Sequence, residues 1–256
     1  MKKGNKSMII CVFDTETTSL EKPFCYNIGY IIADTETQNI LVSRDFVVEQ
    51  VWHNLPLFEG AYYADKRPLY VARMRARQAI MDKFGYICAQ MRRDFKTHGV
   101  EVAYAFNSQF DEKVFSFNCE WFKCINPFEE VPVYDIRAYA VNTIGTTAEY
   151  KAFCEEHALF TDNGNYQSTA ESFFKFLYDE DFIEEHTALA DAIAEFEILQ
   201  YIEQNETDIT RPQSSPRYIK RRVMQEWKVM KGAETIATVT AEKMTVFKKY
   251  KKIKFE

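Results

Sequence analysis

A chain of 256 residues, 46% of them hydrophobic, is long enough to bury a full core and suits one α/β domain with an appendage. No run approaches the roughly 18 apolar residues of a membrane span, and the polar start MKKGNKS precedes only about six apolar residues, too few for a signal peptide, so a soluble, cytoplasmic protein with no membrane partner is expected. The net charge of −6 conceals an asymmetry: residues 1–205 carry 19 Lys and Arg against 32 Asp and Glu, whereas residues 206–256 carry 13 against 6, which makes the end of the chain a candidate phosphate-binding extension.

In chain order, Met8–Phe13 is short, apolar and rich in β-formers, the pattern of a strand buried on both faces. Asn27–Ala33 and Ile40–Val48 flank the polar turn Asp34-Thr35-Glu36-Thr37-Gln38-Asn39, so the first three strands form an antiparallel meander. From Leu69 to Phe95 the apolar residues Val71, Met74, Ile80, Phe84, Ile87, Met91 and Phe95 recur at helical spacing, which predicts one helix that Gly85 can interrupt. Glu101–Phe106 reads as a strand, Phe110–Phe122 as a helix and Pro132–Ile136 as a strand. This alternation implies a mixed sheet covered on both faces. A helix follows from Thr147 to about His157, and Ser168-Thr169-Ala170-Glu171 has the form of a capping box that starts another. Thr187 is the expected N-cap of a helix with Leu189, Ile193, Phe196, Leu199 and Ile202 on one face. Asn205–Arg217, with Pro212 and Pro216, reads as a linker, and beyond it a short helix precedes small strands near Thr235–Thr240 and Met244–Phe247. The six cysteines form no CxxC pair and lie mostly in apolar stretches, so they are read as buried free thiols rather than a disulfide or zinc site.

Three short patterns carry chemistry. Asp14 and Glu16, two apart at the end of a buried strand, project to one side of the sheet, where paired anions call for a cation; oxygen ligands select Mg2+ or Mn2+. Asp-Thr-Glu-Thr recurs at 34–37, but there it supplies turn residues between two strands, so Asp34 and Glu36 are assigned to an exposed turn. Asp111 stands just beyond the strand Glu101–Phe106 and can face the same cleft, or serve only as a helix-start carboxylate. His186 and Asp191 are about 500° of helical rotation apart, so the histidine belongs on the entering loop, poised over a site into which Asp191 projects. A histidine there suits a general base beside a metal ligand.

Together V-F-D-T-E-T-T-S-L, A-F-N-S-Q-F-D and H-T-A-L-A-D-A, in this order, closely resemble the three motifs of the DEDDh (DnaQ-like) exonucleases, the superfamily of the proofreading epsilon subunit of DNA polymerase III, ribonuclease T and oligoribonuclease. The likeness spans roughly residues 8–203. It implies a ribonuclease H-like mixed five-stranded sheet flanked by helices over residues 1–204, a linker at 205–217 and a small basic extension at 218–256. Carried over by position, Asp14 bridges two Mg2+ or Mn2+ ions, Glu16 and Asp191 hold the ion that presents the attacking water, Asp111 holds the other, and His186 is the base. Thr15, Thr17, Leu20, Asn107 and Phe110 match the family's substrate-contacting positions, Leu20 and Phe110 as apolar surfaces against the terminal nucleotide. The implied activity is 3′→5′ removal of nucleoside 5′-monophosphates from a nucleic acid 3′ end, with single-stranded DNA favoured and an exoribonuclease the alternative. A catalytically silent module that grips strand ends is the contrasting class. A polymerase or other replication or repair protein is the partner type such a chain would serve. Ser19 stands where the family often has glycine, the stretch Phe46–Lys96 is long, and the basic extension lies outside the shared fold.

Overall fold

The computed structural model describes residues 7–205, 207–221, 224–231 and 234–242. Its elements are β1 (Ile9–Thr17), β2 (Cys25–Asp34), β3 (Ile40–Val48), α1 (Glu49–Trp52), α2 (Leu55–Phe58), α3 (Arg67–Arg75), β4 (Ile80–Asp82), α4 (Phe84–His98), β5 (Val102–Ala105), α5 (Gln109–Phe122), β6 (Val133–Asp135), α6 (Ile136–Ala140), α7 (Ala148–Glu156), α8 (Ala170–Leu177), α9 (Ala188–Gln204), β7 (Met224–Lys231) and β8 (Glu234–Glu242). The first six strands form one mixed sheet in the order β4-β3-β2-β1-β5-β6. β1–β2 and β2–β3 pair antiparallel, as the meander requires, whereas β1–β5, β5–β6 and β3–β4 pair parallel.

Side chains alternate across β1, and that alternation divides the core in two. Cys11 and Phe13 enter the cluster beneath α4 and α5, while Ile10 and Val12 enter the cluster beneath α6 and α9. The first layer is unusually aromatic: Phe13, Phe84, Phe115 and Phe128 pack at ring separations from 4.3 to 5.9 Å. Offset and edge-on aromatic pairs of this kind contribute about 0.5–1.5 kcal/mol each beyond the area they bury.

Four expectations need correction. The sheet has six strands rather than five, because the stretch expected as one helix at Leu69–Phe95 is broken. Its apolar spacing is real within α3 and α4, but Arg77 adopts φ 59°, and Ile80, Met81 and Asp82 then pair with Phe46, Val47 and Val48 along the open edge of β3. The interruption therefore comes ahead of Gly85 and is set by an available sheet edge, which tertiary pairing favours over local helix propensity. The capping box is shifted by one residue: Thr169 is the N-cap and Ser172 its reciprocal partner, while Glu171 instead pairs with Lys175 at 2.6 Å. Finally, β7 and β8 form an antiparallel hairpin where a short helix was expected first. Met244–Phe247 and the basic tract 248–254 lie outside the described residues.

Residues 207–221 have little regular structure, yet they are tied to the domain. Ile209 and Ile219 are buried, the hydroxyls of Tyr104 and Tyr139 donate to the carbonyls of Ile209 and Arg211, and Arg221 reaches Glu155 with Nε at 2.6 Å. All six cysteines are free thiols, five of them buried. Among the described residues no helix is long and apolar enough to cross a membrane.

Candidate active site

The strand period that sends Val12 towards α9 also sends Asp14 and Glu16 there. Both lie within β1, which runs on to Thr17, so their backbone is held within the central strand. Asp14 is paired with Gly29 of β2 and Glu16 with Asn27. Gly29 decides how close α9 can come, because a Cβ built there would lie 2.0 Å from the Leu189 amide nitrogen and 2.2 Å from the Ala188 carbonyl carbon. The missing side chain thus lets the first turn of α9, with Asp191, rest directly above Asp14. Gly29→Ala is expected to displace α9 and to cost at least about 3 kcal/mol, the upper end of overpacking penalties. Thermal unfolding of the purified variant checks this; a variant as stable as the parent would contradict it.

Asp111 arrives from the far side of β1. The chain leaves β5, turns through Asn107 at φ 64°, fixes that turn by donating the Asn107 N–H to Asp135 Oδ1 at 2.8 Å, and enters α5. Asp111 lies in its first turn, only 3% exposed. The Thr15 hydroxyl donates to Asp111 Oδ1 at 2.6 Å, a short buried bond that fixes the carboxyl group beside β1.

His186 precedes α9 in the left-handed conformation, φ 52°. Its ring stacks on Tyr63 at 4.3 Å with 15° between planes. A ring nitrogen of His186 and one carboxylate oxygen each of Glu16 and Asp191 all lie within 4.8 Å of one another. The long stretch between β3 and α4 supplies what holds this loop. Besides Tyr63, Lys66 donates to the Glu185 carbonyl, and Arg73 Nη1 donates to Thr187 Oγ1 at 2.8 Å while lying 3.4 Å from Asp45 and 3.3 Å from Glu185. Thr187 is the N-cap residue of α9 but its side chain caps nothing. Asn27 does so instead, accepting from the Ala188 N–H at 2.8 Å and from the Tyr70 hydroxyl at 3.1 Å while donating to Asp45 at 2.7 Å and to the Phe46 carbonyl at 2.9 Å. A wholly buried amide using both its oxygen and its nitrogen in this way fixes helix to sheet.

The electrostatics reflect crowded carboxylates. Burial, then Glu184, pushes Asp14 up to about 7. Burial, then Asp14 and Asp191, pushes Glu16 up to about 10, and burial, then Asp14 and Glu184, pushes Asp191 up to about 9. Asp111 is raised well above the usual carboxylate range by burial and by Asp14. Lys66 opposes the rise at Glu16 and Asp191 but does not offset it. A cluster of this kind holds protons or a cation, and its all-oxygen donor set fits a hard divalent ion. His186 is lowered below its ordinary value by burial and then by Lys66. At neutral pH the imidazole is therefore uncharged, and its 3.6 Å separation from Glu184 is the approach of a neutral ring to a carboxyl rather than an ion pair.

Of the five expected reactive groups, Glu16, His186 and Asp191 gather within 4.8 Å of one another, while Asp14 is coupled by charge to Asp111 and to Asp191. The expected substrate positions divide. Thr15 is buried with its hydroxyl on Asp111, Phe110 is partly buried against the aromatic core, Thr17 is the last residue of β1, and Asn107 stands in the turn ahead of α5. Leu20 is 74% exposed on a loop held by Lys113, which donates to its carbonyl at 2.8 Å. Sequence reasoning missed Glu195 and Glu184. Glu195 is buried one turn after Asp191 and accepts from the Phe106 N–H at 3.2 Å; burial, then Asp14 and Asp111, drives its pKa far upward. Its signal was a carboxylate on the apolar side of α9. The second Asp-Thr-Glu-Thr is a turn, with Asp34 Oδ1 accepting from the Glu36 N–H at 2.9 Å.

No protein-family model and no curated protein matches the sequence. Solved structures do. The nuclease domain of 3′hExo, a DEDDh family member bound to rAMP, aligns with 82% of this chain and 99% of its own, with a TM-score of 0.57 at 13% identity. E. coli exonuclease I in complex with a 5cy-dT13 oligonucleotide aligns with 78% of this chain at a TM-score of 0.54 and 16% identity. The chain spans about two fifths of exonuclease I, 41% of its length.

Proposed function

We propose that this chain, which carries the fold of the DEDDh exonucleases, is a divalent-metal-dependent 3′→5′ exonuclease that releases nucleoside 5′-monophosphates from single-stranded DNA. The observation that supports it most is the convergence of four carboxylates from β1, α5 and α9 with a neutral histidine over them. Asp14, Glu16, Asp111 and Asp191 would hold the ions, Mg2+ or Mn2+, which when bound neutralise the cluster, lower the pKa of water and stabilise charge on the entering and leaving oxygens.

The chain's own residues account for the rest of the reaction. His186, neutral at pH 7, takes the proton from the water that attacks the terminal phosphorus, and the bond to the 3′ oxygen of the preceding nucleotide breaks. Tyr63 and Glu184 hold the ring in place for that transfer. Thr15 keeps Asp111 turned inward. Leu20 and Phe110 offer apolar surface to the terminal base, consistent with strand ends rather than internal sites being taken.

The test uses 5′-labelled single- and double-stranded DNA and RNA with Mg2+, Mn2+ or EDTA. A metal-dependent ladder shortening from the 3′ end is expected, fastest on single-stranded DNA. The fold's neighbours include proteins bound to rAMP and to DNA oligonucleotides, so faster RNA decay would move the substrate class to RNA. Internal cuts, or cleavage undiminished in EDTA, would overturn the reading.

A further inference from the structure

We propose that Cys88, Cys119 and Cys124 form a zinc-binding site, separate from the carboxylates, that ties α4 to α5. Their three sulfur atoms lie within 4.8 Å of one another, and they come from different places in the chain: Cys88 from α4, Cys119 from the last turn of α5, and Cys124 from just beyond it. Zinc–thiolate bonds of about 2.3 Å bring sulfurs to about 3.8 Å apart in a tetrahedral site, so side-chain adjustments of under about 1 Å close this group around an ion.

Two backbone features bring Cys124 back to the cluster. Lys123 takes the left-handed conformation at φ 54°, where a residue with a side chain is disfavoured, and the reversal lets the Cys124 N–H donate to the Cys119 carbonyl at 3.0 Å. On the facing helix, Gly85 leaves room: a Cβ there would come within 3.3 Å of the Cys124 Cβ. Cys88 and Cys119 are buried and Cys124 is half-buried. No fourth His, Cys, Asp or Glu among the described residues joins the group, so water entering beside Cys124 would complete the tetrahedron. On binding, Zn2+ takes the place of the thiol protons, which are released to solvent. The soft sulfur set discriminates against the Mg2+ or Mn2+ suited to the carboxylates. Asp111 lies eight residues before Cys119 on the same helix, about 12 Å along its axis, so the zinc anchors the far end of the helix that presents that carboxylate.

The test is a Co2+ titration of the reduced full-length protein, followed by absorption. Thiolate-to-cobalt charge transfer and the visible bands of tetrahedral cobalt are expected to saturate at one equivalent and to disappear on adding one equivalent of Zn2+. Carboxylate-bound cobalt gives no such charge transfer, so binding at the other site does not register. Cys119→Ser and Cys124→Ser should each weaken binding at least tenfold, whereas Cys154→Ser, outside the cluster, should leave it unchanged. Absence of the thiolate band from the unsubstituted protein would overturn the proposal, as would a band that survives in Cys124→Ser. A mass lower by two hydrogens without metal, the mark of a disulfide, would overturn it as well.

Discussion

Asp191→Asn is expected to reduce the metal-dependent rate by about a thousandfold or more, and to raise the melting temperature of the metal-free protein at pH 8. The loss would follow from removing one of the four carboxylates proposed to hold the cations, whose stabilisation of the reacting oxygens would amount to several kcal/mol, with about 1.36 kcal/mol per decade of rate. The gain follows from linkage. Asp191 is pushed from an ordinary 3.8 up to about 9 in the fold by burial and by Asp14 and Glu184. A carboxyl whose folded pKa is raised is fully tolerated below its unfolded pKa and destabilises progressively as pH climbs towards the folded value. The metal-free protein should therefore lose stability between about pH 4 and pH 9, and the amide substitution should remove part of that loss. A rise on the order of 5 °C at pH 8, shrinking towards pH 4 and closed by Mn2+, is the expected calorimetric result. A variant that turns over undiminished, or that is less stable than the parent at pH 8 without metal, would contradict the assignment.

His186→Asn should slow hydrolysis by about 10²–10⁴-fold, the range for loss of a positioned general base, while metal and strand binding persist. Asparagine is the informative replacement because it tolerates the left-handed backbone at this position and cannot accept a proton near neutrality. Burial and Lys66 hold the histidine below its ordinary value, so as the proposed base it would be competent at pH 7 and lost as pH falls through its lowered pKa. The parent's rate should therefore fall on the acid side below about pH 6.5. In the variant that histidine-dependent inflection should vanish. An unchanged profile would exclude His186 as the base.

The candidate site was legible in the sequence because its residues are tied to local signals. A buried strand ending in D-x-E, an aspartate after a strand, and a histidine ahead of a capped helix each fix a direction in space, and shared order joins them. The meander and the strand–helix alternation were legible through their periods for the same reason. What escaped was set by distant partners. β4 exists because β3 offers an edge, so no local pattern distinguishes Ile80 from a helical residue. Asn27 caps a helix that begins 161 residues later, and Thr187, the obvious cap by sequence, is taken up by Arg73 and Glu185. Glu195 was hidden by sitting within an otherwise apolar face. The three cysteines have no recognisable spacing, since Cys88 joins the others only through the packing of α4 on α5.

The long stretch after β3 matters for the same reason. Its helices bury Trp52, Phe58 and Tyr70, and from that support Tyr63, Lys66 and Arg73 extend to the loop bearing His186. The stretch whose length stood out in the sequence thus braces the loop of the candidate base.

Anomalous diffraction from crystals of the protein grown with Mn2+ and a nucleoside 5′-monophosphate tests the central claim most directly. Manganese peaks among Asp14, Glu16, Asp111 and Asp191, with the phosphate beside His186, are the result expected. Ordered nucleotide with no metal at those four carboxylates, or manganese held only elsewhere on the chain, would contradict it.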